Sequence, residues 1–289
     1  MQTIGCARKF VSKLTLRSFA LSLHKVFAAA MLMAGAMAPH LMPAAPHDSI
    51  DVAILGDSNA WIGGDGCDKP AGWNKWFKDK FAPASCRSYA RSGATWTNTA
   101  LTECNIAEYS ETIGDDNVVY NQINRLAKAV DSGRQPAPEL ILIAAGTNDA
   151  WFAEKRPEAF AKTAAEAFAD AGGSITRRPA NSILTLAESV RYGCEMLMER
   201  FPDAQIVLVT PPQSVAAGCG NINKVGDIIE ECGQRMAVAV LRLDHAGAIY
   251  ATAERARRNN TTDGTHTSEK GARRNGYMIA NWVGAMLQF

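Results

Sequence analysis

Five short apolar runs, each closing on turn-forming residues, alternate along the chain with longer stretches whose apolar positions recur at helical spacing. The runs Ile50–Leu55, Cys86–Ala90, Leu140–Ala145, Gln205–Thr210 and Ala248–Ala251 predict strands. The stretches Trp73–Phe81, Val118–Asp131, Ile183–Phe201, Val225–Leu243 and Ser268–Leu287 predict helices. The third of these has the clearest period, with Leu186, Val190, Cys194 and Leu197 on one face. Strand and helix in this rhythm signal βαβ units and a mostly parallel sheet, an α/β fold. Residues 150–181 break the rhythm, being Ala-rich with Pro157 and a Gly172-Gly173 pair. Ligands of such sheets bind outside the carboxyl ends of the strands, so an insertion directly after Asn148-Asp149 is expected to form a lid or substrate wall.

The first 47 residues have a different pattern. Arg8, Lys9, Lys13, Arg17 and Lys25 precede or open a thirteen-residue apolar run, Val26–Ala38, which is followed by small residues and prolines. This is the layout of a secretory signal peptide, too short for a membrane span of about 20 residues. The reading is a secreted or periplasmic protein, not stably inserted in a membrane once the leader is removed, with a single domain over residues 48–289. The whole chain carries 30 Lys+Arg against 29 Asp+Glu, a formal +1. Beyond the leader, 25 bases face 29 acids, and a mildly acidic body offers no broad footprint for nucleic acid. Of seven cysteines, the six beyond the leader (Cys67, Cys86, Cys104, Cys194, Cys219 and Cys232) suit disulfides in an exported protein better than a structural metal site. A Cys219–Cys232 bridge closing the loop after the Gln205 strand is one expected pairing.

Four segments carry chemistry. The first strand ends in Gly56-Asp57-Ser58-Asn59, which puts a serine hydroxyl on a strand-to-helix turn. A serine is a weak nucleophile until a base takes its proton. Asp263-Gly264-Thr265-His266 supplies one, with an acid three residues from a histidine, a spacing that lets the carboxylate fix the imidazole tautomer. His245, among Leu241, Leu243 and Ala246, is expected to be packed. Acyl transfer also needs donors for an oxyanion, and the second and third strands lead into Ala90-Arg91-Ser92-Gly93 and Gly146-Thr147-Asn148-Asp149. No G-x-G-x-x-G follows a strand, and the body has no complete P-loop and no H-E-x-x-H, which excludes the commonest nucleotide and zinc-protease readings.

In this order the four segments resemble the consensus blocks of the SGNH (GDSL-type) hydrolase superfamily. The resemblance implies a flavodoxin-like three-layer α/β/α sandwich around a five-stranded parallel sheet. It implies Ser58 as nucleophile, His266 as general base and then acid, and Asp263 as the orienting carboxylate. The Ser58 and Gly93 N–H groups and the Asn148 amide would form the oxyanion hole. Neither metal nor organic cofactor is required by that mechanism. Asn59 departs from the lipase-like consensus, in which leucine is usual. Trp61, Trp96 and Trp151 each follow a motif residue (Ser58, Gly93, Asn148) by three positions. Indole faces pack well on sugar rings, so the expected substrate is an ester of an acylated saccharide, above all an acetyl ester. Two alternatives stay open: a lipid-directed esterase of lysophospholipase or thioesterase type, and a carbohydrate-binding protein that keeps the fold without turnover.

Overall fold

The computed structural model describes residues 47–104, 117–170 and 173–287, so the leader lies outside the described residues. Strand β1 (Asp51–Gly56) pairs in parallel with β2 (Ser85–Ser88) on one side and β3 (Leu140–Ala144) on the other. Beyond β3 follow β4 (Gln205–Val209) and β5 (Ala239–Leu241), also parallel, giving the order β2-β1-β3-β4-β5. This is the flavodoxin-like order, and the direction of winding reverses between β1 and β3.

The central strands are apolar at nearly every position because both faces of the sheet are covered. Ala53, Leu55, Ile141, Ile143 and Leu208 pack on one face against helices α3 (Val119–Asp131), α6 (Leu186–Arg200) and α7 (Cys219–Arg235). Val52, Ile54, Leu140, Leu142 and Val207 pack on the other against α2 (Trp73–Phe81) and α10 (Glu269–Leu287), including Phe77, Ile279 and Val283. The alternation of Cβ direction along a strand thus divides one apolar run between two cores. Each fully buried aliphatic or aromatic side chain there contributes about 1.5–3 kcal/mol relative to exposure.

Short helices link the longer elements: α1 (Ser58–Trp61), α4 (Thr147–Trp151), α5 (Ala164–Ala167), α8 (Leu243–Ala246) and α9 (Ala251–Ala256). Segment 150–181 is anchored along α6 and α7. Ala164, Ala167, Phe160 and Phe168 join the first core, and Arg191 of α6 donates to the carbonyls of Ala167 (2.6 Å) and Gly173 (2.5 Å).

Three expectations need correction. The fifth strand is Ala239–Leu241, not Ala248–Ala251, because α7 stops at Arg235 and Ala237 turns the chain with φ 54°. Cys219 and Cys232 cannot pair. Both lie on α7, about 20 Å apart at the helical rise, against a limit of about 7 Å between the Cα atoms of a disulfide. His245 is exposed on α8 rather than packed, with its ring 3.1 Å from the Arg242 guanidinium. Among the described residues no helix is long and apolar enough to cross a membrane.

Candidate active site

The turn that carries Ser58 is pinned before it begins. Gly56 closes β1, where any Cβ would lie 2.4 Å from the Ala144 carbonyl oxygen of β3, so only glycine permits this strand approach. Its N–H donates to Gln122 Oε1 at 2.8 Å and its carbonyl accepts from Gln122 Nε2 at 2.9 Å, a reciprocal clamp from buried α3. Asp57 caps α1 by accepting from the Asn59 N–H (3.1 Å), and its second oxygen accepts from the Thr147 N–H (3.2 Å). One carboxylate therefore ties the β1 turn to the β3 turn across the switch point. Burial raises the Asp57 pKa above the ordinary value, although its hydrogen-bond donors oppose the shift.

His266 arrives on the loop before α10. Thr261 and Thr267 form an antiparallel bridge, and between them Asp263 Oδ1 accepts from the N–H groups of Thr265 (2.9 Å) and His266 (2.8 Å). Asp263 Oδ2 accepts from His266 Nδ1 at 2.6 Å. With Nδ1 committed as a donor to a carboxylate, Nε2 is left as the acceptor, and the Ser58 hydroxyl lies 2.9 Å from it. Burial alone would raise the Asp263 pKa, but the hydrogen bonds from His266 and Thr265 outweigh it and hold the carboxyl below its usual range. The structure thus brings together Asp263, His266 and Ser58 in one relay, joining residues 208 positions apart.

The ends of β2 and β3 flank the end of β1 that carries Ser58. Gly93, with φ 74°, follows β2, and Asn148 lies in the first turn of α4. The backbone N–H groups of Ser58 and Gly93 donate to no protein acceptor among the described residues. Asn148 Nδ2 donates to the Ala94 carbonyl at 2.8 Å, which fixes the amide beside the Gly93 loop and leaves its second hydrogen available. The same loop is held by Asp149, which accepts from Trp96 N (2.9 Å), Thr97 N (3.1 Å) and Thr97 Oγ1 (2.8 Å). Such an arrangement sets a serine–histidine pair beside unspent N–H donors on the two neighbouring strand ends, the parts that acyl transfer needs.

The three tryptophans part company. Trp151, one helical turn beyond Asn148, is 46% exposed, and Trp61 is partly buried against the second core. Trp96 is only 2% exposed and its indole donates to the Ala145 carbonyl at 3.2 Å, so it is a core residue and not a substrate contact.

Glu254 on α9 is a residue that sequence reasoning passed over. Its buried carboxylate accepts from the N–H groups of Asn259, Asn260 and Thr261, from Asn260 Nδ2 and from Thr261 Oγ1, at 2.7–3.2 Å. It fastens the start of the loop that presents Asp263 and His266. Burial opposes ionisation, yet these donors bring its pKa down from 4.5 to about 2. A carboxyl depressed on folding contributes stability above its unfolded pKa and loses it as pH falls through the folded value. Urea unfolding is therefore expected to show a stability loss between about pH 4.5 and 2, on the order of 3 kcal/mol of it from this group. Glu254→Gln should flatten that part of the profile, and an identical profile in the variant would contradict the assignment.

The model of the GDSL-like lipase/acylhydrolase family matches residues 54–274. One solved structure aligns at TM-score 0.54 with 16% identity, covering 83% of this chain and 98% of that chain. A lipase/acylhydrolase from Enterococcus faecalis aligns at 0.48 with 18% identity, covering 83% and 98%. A carbohydrate acetylesterase from Sinorhizobium meliloti aligns at 0.49 with 15% identity, covering 83% and 100%. No curated protein matches the sequence.

Proposed function

The chain belongs to the GDSL-like lipase/acylhydrolase family, the serine hydrolases of carboxylic esters, and from that premise we propose that it is an exported esterase removing short acyl groups, above all acetyl, from a carbohydrate. Ser58, His266 and Asp263 are its catalytic triad. The observation that carries this reading is the relay of 2.6 Å and 2.9 Å contacts from Asp263 through His266 to Ser58.

His266 Nε2 takes the hydroxyl proton as Ser58 Oγ attacks the ester carbonyl carbon. The carbonyl oxygen becomes an oxyanion and receives hydrogen bonds from the Ser58 and Gly93 N–H groups and the Asn148 amide. Collapse expels the alcohol, protonated by His266, and leaves an acyl-serine. His266 then deprotonates a water, which attacks the acyl carbon; the second tetrahedral intermediate releases the acid and returns the proton to Ser58. Asp263 keeps its charge throughout, holding the imidazole in orientation and stabilising the imidazolium.

The substrate class rests on the surface beside these loops. Trp151 offers an exposed indole face one turn from Asn148, a surface that suits the apolar side of a sugar ring. The segment beyond it exposes Glu154, Lys155, Glu158 and Lys162 rather than the aliphatic lining a long acyl chain requires. The expected result is faster hydrolysis of nitrophenyl acetate than of nitrophenyl octanoate, by at least tenfold in kcat/KM, and release of acetate from an acetylated polysaccharide. A preference for octanoate would replace the short-acyl reading with a lipid-directed one. No turnover of either ester, with retained binding of polysaccharide, would replace it with a binding protein. Export is checked by the mass of the mature chain after expression with its leader: a chain that keeps residues 1–34 contradicts it.

A further inference from the structure

Two thiols meet in the second core, on the face of the sheet covered by α2 and α10. Cys67 lies in the loop between α1 and α2, and Cys86 is the second residue of edge strand β2. Their sulfurs are 3.5 Å apart, and the residues are 1% and 7% exposed. We infer that the oxidised protein carries a Cys67–Cys86 disulfide that staples this loop to β2. The sulfurs need to close by about 1.5 Å to reach a bond of about 2.05 Å, a movement within the reach of side-chain rotation.

Two further observations point the same way. Cys67 has φ 53°, a left-handed conformation in which glycine is the comfortable residue. A side chain placed there at a conformational cost has its sulfur directed at Cys86, with Asn74 Nδ2 3.5 Å from the same atom. Among the described residues no group of three His, Cys, Asp or Glu side chains stands ready to hold a metal, so the pair is not half of an evident ligand set. The hydrogen bond that Cys86 donates to the Cys67 sulfur, together with burial, also pushes the Cys86 thiol well above its ordinary pKa, which makes a buried dithiol slow to react once folded and places bond formation during folding.

The loop already grips the strand by hydrogen bonds. The Ser88 N–H donates to the Asp65 carbonyl at 2.9 Å, and the Arg91 guanidinium reaches both Asp65 carboxylate oxygens, at 2.8 and 3.2 Å. A covalent link at Cys86 would lock the same loop to the strand that leads, through Arg91, to Gly93. It would also cover the open edge of β2, where unpaired backbone groups invite association.

The chemistry is thiol–disulfide exchange with an organic disulfide. One cysteine thiolate attacks a sulfur of the oxidant and expels a thiolate, forming a mixed disulfide. The second cysteine, losing its proton, attacks the first cysteine's sulfur and expels the other thiolate. Two electrons and two protons pass to the oxidant, which leaves as two thiols.

The inference does not depend on the functional reading, and its test does not use activity. The full chain is refolded in a buffer of oxidised and reduced glutathione or in reducing agent alone, alkylated under denaturing conditions, digested with trypsin and analysed by mass spectrometry. The expected product of oxidative refolding is the Phe81–Arg87 peptide joined to the peptide holding Cys67, two hydrogens lighter than the sum. The thermal midpoint should rise by on the order of 10 °C over the reduced protein, and C67S/C86S should lose that difference. Alkylation of both Cys67 and Cys86 after oxidative refolding, or linkage of either to another cysteine, would overturn the inference.

Discussion

Ser58→Ala is expected to lower kcat for ester hydrolysis by about 10⁵–10⁶-fold while leaving the protein folded. The chemical part follows from the loss of the one nucleophile that His266 can deprotonate at 2.9 Å. The structural part follows from the division of labour at the turn: Asp57, not Ser58, caps α1, and the Gln122 clamp acts on Gly56. Removing the hydroxyl therefore disturbs neither device, and thermal unfolding should match the parent within about 1 kcal/mol. Initial rates with nitrophenyl acetate, read beside a thermal melt, separate the two effects. A variant that retains more than one part in a hundred of the activity would remove Ser58 from the mechanism.

Asp263→Asn should cost about 10⁴-fold in kcat with the loop geometry preserved. The backbone contacts at Oδ1 survive, because an amide oxygen can still accept from Thr265 and His266. The change falls at Oδ2, which accepts from His266 Nδ1 at 2.6 Å. An NH₂ group in that place donates rather than accepts, so Nδ1 must become the acceptor and the proton moves to Nε2, where it faces Ser58 and cannot take a proton from it. Three residues acting as one unit should also be non-additive: adding Asp263→Asn to Ser58→Ala should reduce the residual rate hardly at all. Independent, multiplicative losses in the double variant would show that Asp263 acts outside the relay.

How much of this was legible beforehand differed from element to element for physical reasons. Strands β1, β3 and β4 read clearly because both of their faces are buried, which turns each into an unbroken apolar run. β5 is hidden in the sequence because its three residues follow Ala237, whose left-handed turn carries no glycine to announce it. Ser58, His266 and Asp263 were visible as types in turns, and the structure adds the contact between them.

The errors at the site share one cause. Trp96 and Trp151 occupy the same offset from their motifs, yet one ring turns into the core and the other outward, and a spacing of three residues does not distinguish them. Glu254 looks like a surface acid in a polar, Arg-rich stretch. Its role exists only once the chain folds five donors around it. Cys67 and Cys86 are brought together by the pairing of a loop with an edge strand, which no count of residues between them reveals. Alternating hydrophobicity reports burial, whereas partnership depends on tertiary contact. The signals available for Glu254 were only its short distance before the His266 loop and the run of Asn and Thr donors between them.

The central claim, that Ser58 is the nucleophile of an acyl-enzyme, is tested most directly by titrating the protein with a fluorophosphonate ester, which traps an activated serine as a stable tetrahedral adduct. The account predicts one adduct per chain, mapped by mass spectrometry to Ser58, with esterase activity falling in proportion to labelling and no adduct in His266→Ala. An adduct on another serine that tracks the loss of activity, or full activity with no adduct at all, would contradict it.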